Sequence, residues 1–524
     1  MAVNASSPVR AITRHLLLAS SALVGALTML GAPALAQSDT ITVARSVDAD
    51  SLDPHRTSNT QSLQVTNLIY DTLLTMDDSG TIHPGLASAW SISEDGTSYT
   101  FSLRDGVVCH DGEAFDAAMA AASIERAVDP ETNNPNASSW GPIEDTSADG
   151  NTLTVSLSEP YGPFLSFLTS IQAPMICAGS TAGEEFDPIG TGPYALVDWV
   201  RNDRITLSAN EDYENVHPLI DNPGAPYIPN LVLQVIPEGV ARMAALRSGE
   251  VQFAEPSLEE AALLQDDPDF NVHAAMLSGQ QILMAFTWRI PPLDDENVRR
   301  AIGAVVDRAL YADFAFEGLV APAYCPVAPG LLGTDQEMCR EAGVPEDVEQ
   351  AEELLAEAGY GPDNPLEIVL SVHRLPGWDR MHEIMLQQFE TVGIEATIEQ
   401  REVAAFFDQM SEENQRTDGS PVVWTMGMSG VDPDYLYFLW HTPGFVNMGL
   451  NEEVDAMLAA QRGLTGEARV EAIQEIHRYL LENVYAVPLL SPGWGWLMAS
   501  SADLEGFKMG HMVSLIFNDV QYVD

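Results

Sequence analysis

Two arginines, Arg374 and Arg380, flank the segment Leu-Pro-Gly-Trp-Asp at the entrance to a helical pattern. A guanidinium is a planar fork that meets a carboxylate through two parallel N–H bonds, so either side chain suits a carboxylate guest. The rival role for each, in so acidic a chain, is a surface ion pair. A second group is the run Trp424-Thr425-Met426-Gly427-Met428-Ser429-Gly430-Val431-Asp432-Pro433-Asp434, in which an apolar strand pattern gives way to small, hydroxyl and acidic residues. A third is Thr57-Ser58-Asn59-Thr60, whose hydroxyls and amide either hold polar groups of a guest or make an ordinary solvated turn. Trp288, Trp424, Trp440, Trp494 and Trp496 offer flat walls to side chains or sugar faces, or else fill cores. All of this is the chemistry of holding a molecule. For making or breaking bonds there is no comparable set: Gly-x-Ser-x-Gly and His-Glu-x-x-His are both missing, and with 77 acidic residues any pair of carboxylates is uninformative. The histidines are scattered, and His441 is the only one close to the second group. No catalytic residue, cofactor or resident metal is assigned.

Rigid elements must present such groups. Trp90 and Ile92, then Tyr99, Phe101 and Leu103, alternate with polar residues around Asp95-Gly96, the pattern of a hairpin with one buried face. An alanine-rich helical spacing runs to about Val128, and a strand is expected at Leu153–Leu157. Gly190-Thr191-Gly192-Pro193-Tyr194 is not a phosphate loop, because no Lys-Ser/Thr follows and proline removes a needed N–H; it reads as a tight turn. Strand, helix and strand then alternate: strands at 231–236, 366–372, 394–398 and 422–426, with helices at 240–247, 349–358, 378–392, 454–461 and 470–481. That rhythm implies sheets covered by helices, and open α/β sheets present ligand groups at strand ends. A chain of 524 residues exceeds one core, so two or three packed units are expected.

Five short patterns follow in order from Leu68 to Phe115: Tyr-Asp-x-Leu, Pro-Gly-Leu-Ala-x-x-Trp, Asp-Gly-x-x-Tyr-x-Phe, Leu-Arg-x-Gly-Val and His-Asp-Gly-x-x-Phe. With Ser51-Leu52-Asp53-Pro54 before them and Val298-Arg299-Arg300-Ala301-Ile302 after, this order resembles the family 5 extracytoplasmic solute-binding proteins, the dipeptide, oligopeptide and nickel receptors of ABC importers. The resemblance implies an α/β fold of the periplasmic binding protein type II kind, two lobes joined by two crossovers, with an extra subdomain in the first lobe. On this reading residues 37–288 and 490–524 form the first lobe, 83–184 its extra subdomain and 289–489 the second lobe. The crossovers are expected near 283–288 and 486–489. The two lobes would close on a solute by hinge motion. It further implies that Ser58, Asn59 and Thr60 lie at the mouth of the cleft, that an arginine near Arg374 and Arg380, with Arg380 preferred, pairs a ligand carboxylate, and that Trp424, Met426, Gly427, Met428, Ser429 and Asp432 form the facing wall. Peptide-binding relatives carry an acid shortly before Asp-Pro; here Met428 and Ser429 stand there, so Asp432 or an acid elsewhere would have to meet a free ammonium. The expected ligand is a small molecule of peptide type. An oligosaccharide, an opine-like conjugate and a nickel chelate are the alternatives, and an exported hydrolase is a more distant one. The implied partners are the permease and ATPase of an ABC importer at the inner membrane, with the receptor itself a monomer.

Arg10, Arg14 and His15 precede an apolar run from Leu16 to Leu30, and Ala34-Leu35-Ala36 supplies small residues for cleavage, so residues 1–36 read as a secretory signal. The run is shorter than the ~20 apolar residues a membrane span needs. No cysteine follows it, so a periplasmic protein without a lipid anchor is expected. The charge balance is 23 basic against 77 acidic residues, a net of −54, and removing Arg10 and Arg14 takes it to −56. Such a surface repels polyphosphates, which excludes nucleic acid as a partner. It suits a saline medium or reflects the composition of a lineage. Four cysteines, an even number in an exported chain, favour bridges. Cys325 and Cys339 enclose a Pro- and Gly-rich loop whose closure would stabilise by roughly 3 kcal/mol, leaving Cys109 with Cys177, although sequence alone does not fix connectivity.

Overall fold

The computed structural model describes residues 39–523 apart from 184, 216, 275–278, 374, 376, 415, 443–450 and 492–495; the signal segment, Arg374 and Trp494 therefore lie outside the described residues. Two sheets organise the chain. The first has seven strands in the order Phe270–Ala274, Leu497–Ser501, Phe253–Ala254, Thr40–Arg45, Asn230–Val235, Arg204–Ala209, Tyr194–Val200. The second has six: Ala321–Pro322, Ala486–Ser491, Gln280–Phe286, Val422–Ser429, Leu366–His373, Ile394–Arg401. In each, parallel pairs joined by helices sit beside antiparallel ones.

The chain passes from the first sheet to the second earlier than the sequence indicated. Gln280–Phe286, expected in the first lobe, is a central strand of the second sheet, paired antiparallel with Val422–Ser429 on one side and with Ala486–Ser491 on the other. All seven of its residues are buried, since both faces are covered. A strand covered on both faces shows no alternation, so nothing in its pattern marks which sheet it joins. The return falls later than expected, between Ser491 in the second sheet and Leu497 in the first.

The hairpin expected around Asp95-Gly96 is Ala87–Ile92 with Ser98–Leu103, and Gly96 takes φ +71° at the turn. Tyr99, Phe101 and Leu103 are its buried face. It belongs to a four-stranded antiparallel sheet completed by Thr152–Leu157 and Ile143–Asp149. The Ile143–Asp149 strand was not visible in the sequence, because it carries an exposed acidic pattern on a sheet edge. The helix Ala117–Val128 packs on this sheet through Ala120, Ile124 and Ala127, around Trp140 and Phe164. Leu52-Asp53-Pro54 anchors that helix. The Asp53 carboxylate caps the following turn through the His55 N–H and accepts both NH1 and NH2 of Arg126, at 2.9 and 2.5 Å.

Gly190-Thr191-Gly192-Pro193 is a close approach of backbone to backbone. A Cβ at Gly190 would lie 2.1 Å from the carbonyl oxygen of Ile69, so only glycine fits. The turn places the Thr191 hydroxyl on Asp71 at 2.9 Å, with the Tyr213 hydroxyl on the other oxygen at 3.3 Å. Burial lifts the Asp71 pKa to about 6, against the pull of those two hydrogen bonds and of Arg104. A raised carboxyl pKa means that the folded state loses stability as pH climbs from about 4 to about 6. Part of the side chain reaches solvent, so the cost at pH 7 is roughly 1–2 kcal/mol. Asp71→Asn is therefore expected to raise the urea midpoint at pH 7 and to leave it nearly unchanged at pH 4. An equal gain at both pH values would show that the charge is not its source.

Cys109 is bonded to Cys177 and Cys325 to Cys339, with sequence separations of 68 and 14. Loop-closure entropy alone assigns about 4 kcal/mol to the longer loop and about 3 kcal/mol to the shorter. Full reduction should lower the thermal midpoint, and Cys109→Ala/Cys177→Ala should account for the larger share. The two pair deletions can be compared directly by calorimetry under non-reducing conditions.

Candidate functional site

The C-terminal ends of the parallel strands Leu366–His373 and Val422–Ser429 lie side by side in the second sheet. There the Gly427 N–H points at His373 Nε2 at 3.4 Å. His373 is itself enclosed by Trp378, Phe406 and Phe407, and burial pulls its pKa down to about 4, so it accepts as a neutral ring. Along Val422–Ser429, Trp424, Met426 and Met428 point into one core with Phe406, Leu436 and Trp440. Trp424 and Trp440 are fully buried and pack as core; Trp288 is half-buried against Tyr485. Only towards the strand end does the wall open. Met428 is buried, Gly427 is half-buried and Ser429 is exposed. Beyond it Gly279 and Gly430 touch backbone to backbone: Gly279 has φ +70°, and a Cβ there would lie 2.0 Å from the Gly430 oxygen.

Asp432 is not free for a ligand. Its carboxylate takes Arg469 NH1 at 2.8 Å and NH2 at 2.5 Å, a bidentate pair in which both side chains are less than a tenth exposed. Burial would push the Asp432 pKa up, but the charge and hydrogen bonds of Arg469 outweigh it and hold the carboxyl below its ordinary range. Asp434 is engaged as well, by Gln461 at 2.6 Å and Arg462 at 3.0 Å. Here burial wins over Arg462, and the pKa rises to about 6. Both acids of the Asp-Pro-Asp motif thus fasten the loop to the helix Gly466–Glu482 and the end of Glu452–Arg462.

The same arginines reach the four-stranded subdomain. Arg469 NH1 donates to the Gly162 carbonyl at 3.2 Å, the Gly162 N–H donates to the Arg462 carbonyl at 2.5 Å, and the Arg462 guanidinium lies over the Tyr161 ring. Beside this contact is a cavity of about 630 Å³, lined among others by Thr81, Tyr99, Ser166, Leu331, Val431 and Arg469. Among the described residues its one charged lining side chain, Arg469, is already neutralised by Asp432, so these residues present hydroxyls, backbone and apolar surface to the cavity.

The remaining expected residues divide. Asn59 and Thr60 are not a free turn: Asn59 is the N-cap of the helix Thr60–Ile69, its side-chain oxygen accepting the Ser62 N–H at 3.2 Å, while Ser58 before it is exposed. The Thr-x-Asn-Thr pattern is thus a capping signal rather than a solvated turn. Arg380 is about half exposed and donates to Glu317 at 2.5 Å. Sequence reasoning missed His373 and the Arg469–Asp432–Gly162 junction, because residues far apart in sequence meet only through the fold.

Mixed sheets, parallel strand ends meeting a small-residue loop, and a four-stranded subdomain tied to the helices Glu452–Arg462 and Gly466–Glu482 define an α/β fold that can be compared with solved ones. A solved structure of an ABC transporter substrate-binding protein, CtaP from Listeria monocytogenes, superposes with a TM-score of 0.80 at 18% identity, covering 93% of this chain and all of that one. The sequence pattern described as bacterial extracellular solute-binding proteins, family 5 Middle, matches residues 81–447, more than half of the chain. This chain belongs to that family of solute receptors. It is 28% identical over 409 residues, 77% of each chain, to the glutathione-binding protein GsiB of Shigella dysenteriae serotype 1. It is also 28% identical over 532 residues to di/tripeptide-binding protein 2 of Pseudomonas aeruginosa, covering 93% of this chain and 95% of that one.

Proposed function

We propose that this protein is the exported receptor of an ABC importer, that it captures a peptide-type solute between two lobes, and that it hands the solute unaltered to a membrane permease driven by its ATPase. The support is the family match together with relatives named for glutathione and for di- and tripeptides. We assign the first sheet with its subdomain to one lobe and the second sheet to the other, with passages between Ala274 and Gln280 and between Ser491 and Leu497. Ser58 and the strand-end residues Gly427 and Ser429 form facing walls, while Met428 points back into the core. The signal segment would be removed on export, and the receptor would act as a monomer without turnover of its ligand.

The carrying observation for the ligand's chemistry is the occupied Asp432. With Arg469 on both of its oxygens, the acid nearest the strand end does not offer a counter-charge to an ammonium group. The N-terminal end of a peptide would then be met by neutral acceptors such as the Ser429 hydroxyl and strand-end carbonyls. Blocking the amine should consequently cost little, under about tenfold or 1.4 kcal/mol. A thermal-shift screen of free and N-acetylated di- to pentapeptides, oligosaccharides and nickel chelates tests both points, since a ligand at 100 times its Kd adds about 2.7 kcal/mol. Shifts from peptides of both kinds are expected. A strict requirement for the free amine would return Asp432, or another acid, to the ligand. A shift from sugars alone would replace the peptide. In the same assay Arg380→Ala, whose ion pair with Glu317 is exposed, should leave affinity unchanged; a large loss would make Arg380 the carboxylate anchor.

A further inference from the structure

Cys325, Cys339 and His477 are fully buried together, with one potential ligand atom from each lying within 4.8 Å of the others. Among the described residues this is the one such group of three. His477 Nδ1 is 3.9 Å from Cys339 Sγ, and its Nε2 makes no hydrogen bond. Cys325 Sγ is 3.2 Å from the Asp335 carbonyl, an acceptor that suits a thiol and does nothing for a disulfide sulfur. A cavity of about 250 Å³, lined by Arg308, Tyr324, Arg340 and Glu346 among others, meets the corner at Cys339. Of the two guanidinium groups at its wall, Arg308 is paired with Glu346 at 2.9 Å, which leaves Arg340, lying over the Tyr324 ring, as the cation that favours a thiolate at Cys339.

We propose that reduction of the Cys325–Cys339 bond turns this corner into a site for a thiophilic divalent cation of the Zn²⁺ class, held by Cys325, Cys339 and His477. The reductant is a dithiol or phosphine. It supplies two electrons, the S–S bond breaks, and two protons complete two thiols while the reductant is oxidised. The cation then displaces those two protons to solvent and bonds to two thiolates and one neutral imidazole. Three protein ligands leave a fourth tetrahedral position for water or another exogenous ligand, the arrangement of a reactive or exchangeable site rather than a closed structural one. While the disulfide is intact, its sulfurs carry no thiolate and the site is shut.

The test uses the mature protein reduced with a phosphine, freed of reductant without air, and titrated with Co²⁺. One equivalent should give the intense near-ultraviolet thiolate-to-cobalt absorption and tetrahedral visible bands, both erased by Zn²⁺; oxidised protein should give neither. Zn²⁺ should also restore part of the thermal midpoint lost on reduction. Alkylation read by mass spectrometry then locates the site in the unmutated chain: Zn²⁺ should protect Cys325 and Cys339 and leave Cys109 and Cys177 labelled. His477→Gln should abolish stoichiometric binding without removing either thiol. Protection confined to Cys109 and Cys177, full binding by His477→Gln, equal binding by oxidised protein, or no gain in midpoint with Zn²⁺ would each overturn the proposal.

Discussion

Stability should fall steeply between pH 7 and pH 5. His55, His373, His382 and His477 are buried and neutral in the folded protein, with pKa values drawn down by desolvation to about 4, 4, 3 and 3. In the unfolded chain each titrates near 6.5. A depressed histidine pKa means the unfolded state binds the extra proton, so the stabilisation is complete above pH 6.5 and drains away as pH falls towards 4. At pH 5 each histidine has withdrawn roughly 2 kcal/mol. Asp71 and Asp434, with raised pKa values, take up protons in the folded state and return about 1 kcal/mol each over the same interval. The net loss is on the order of 5 kcal/mol, to be set against a total of about 5–15 kcal/mol for a typical domain. Most carboxylates stay ionised at pH 5, so relief of self-repulsion in this acidic chain comes later. Urea midpoints at pH 7, 6 and 5 measure the effect, and His477→Gln should flatten the curve by about one histidine's share. A profile flat from pH 7 to 5 would mean that these rings are solvated or paired with acids.

The second large effect is expected from Arg469→Met. The replacement leaves Asp432 charged, buried and unpaired, and removing one partner of a buried pair typically costs about 3–5 kcal/mol. It also removes the donor to Gln461 and to the Gly162 carbonyl, so the subdomain loses one of its ties to the helix Gly466–Glu482. The loss should be largest in Arg469→Met, and adding Asp432→Leu should recover part of it, since two apolar side chains in place of an ion pair are often tolerated. Chemical unfolding of the three variants closes the cycle. Additive losses would show that the two side chains do not share one interaction. If ligand closure uses the Gly162 contact, the single variant should in addition bind more weakly at a temperature where it is fully folded.

Much of the frame was legible in the chain because it rests on local physics. Tyr99, Phe101 and Leu103 alternate as a half-buried strand must, and the helices at 348–357, 378–391 and 466–482 follow from 3.6-residue spacing and from caps such as Asp347. Gln280–Phe286 could be recognised as apolar but not assigned, since a strand covered on both sides carries no sign of its neighbours. Thr60–Ile69 begins at the last residue of the polar group Thr57-Ser58-Asn59-Thr60, and Asn59 is its cap. The site was less legible for a different reason. Asp432 looks like a free acid in sequence, and only the fold brings Arg469, 37 residues later, onto both of its oxygens. Arg380 likewise acquires Glu317, 63 residues before it.

Two lobes that enclose a peptide-type solute should release it unchanged. Native mass spectrometry of the mature protein, mixed with an equimolar pool of di- to pentapeptides, tests it most directly. A one-to-one complex is expected, from which a peptide of unaltered mass is recovered. A protein that retains no peptide from the pool, or a recovered fragment in place of the peptide added, would contradict it.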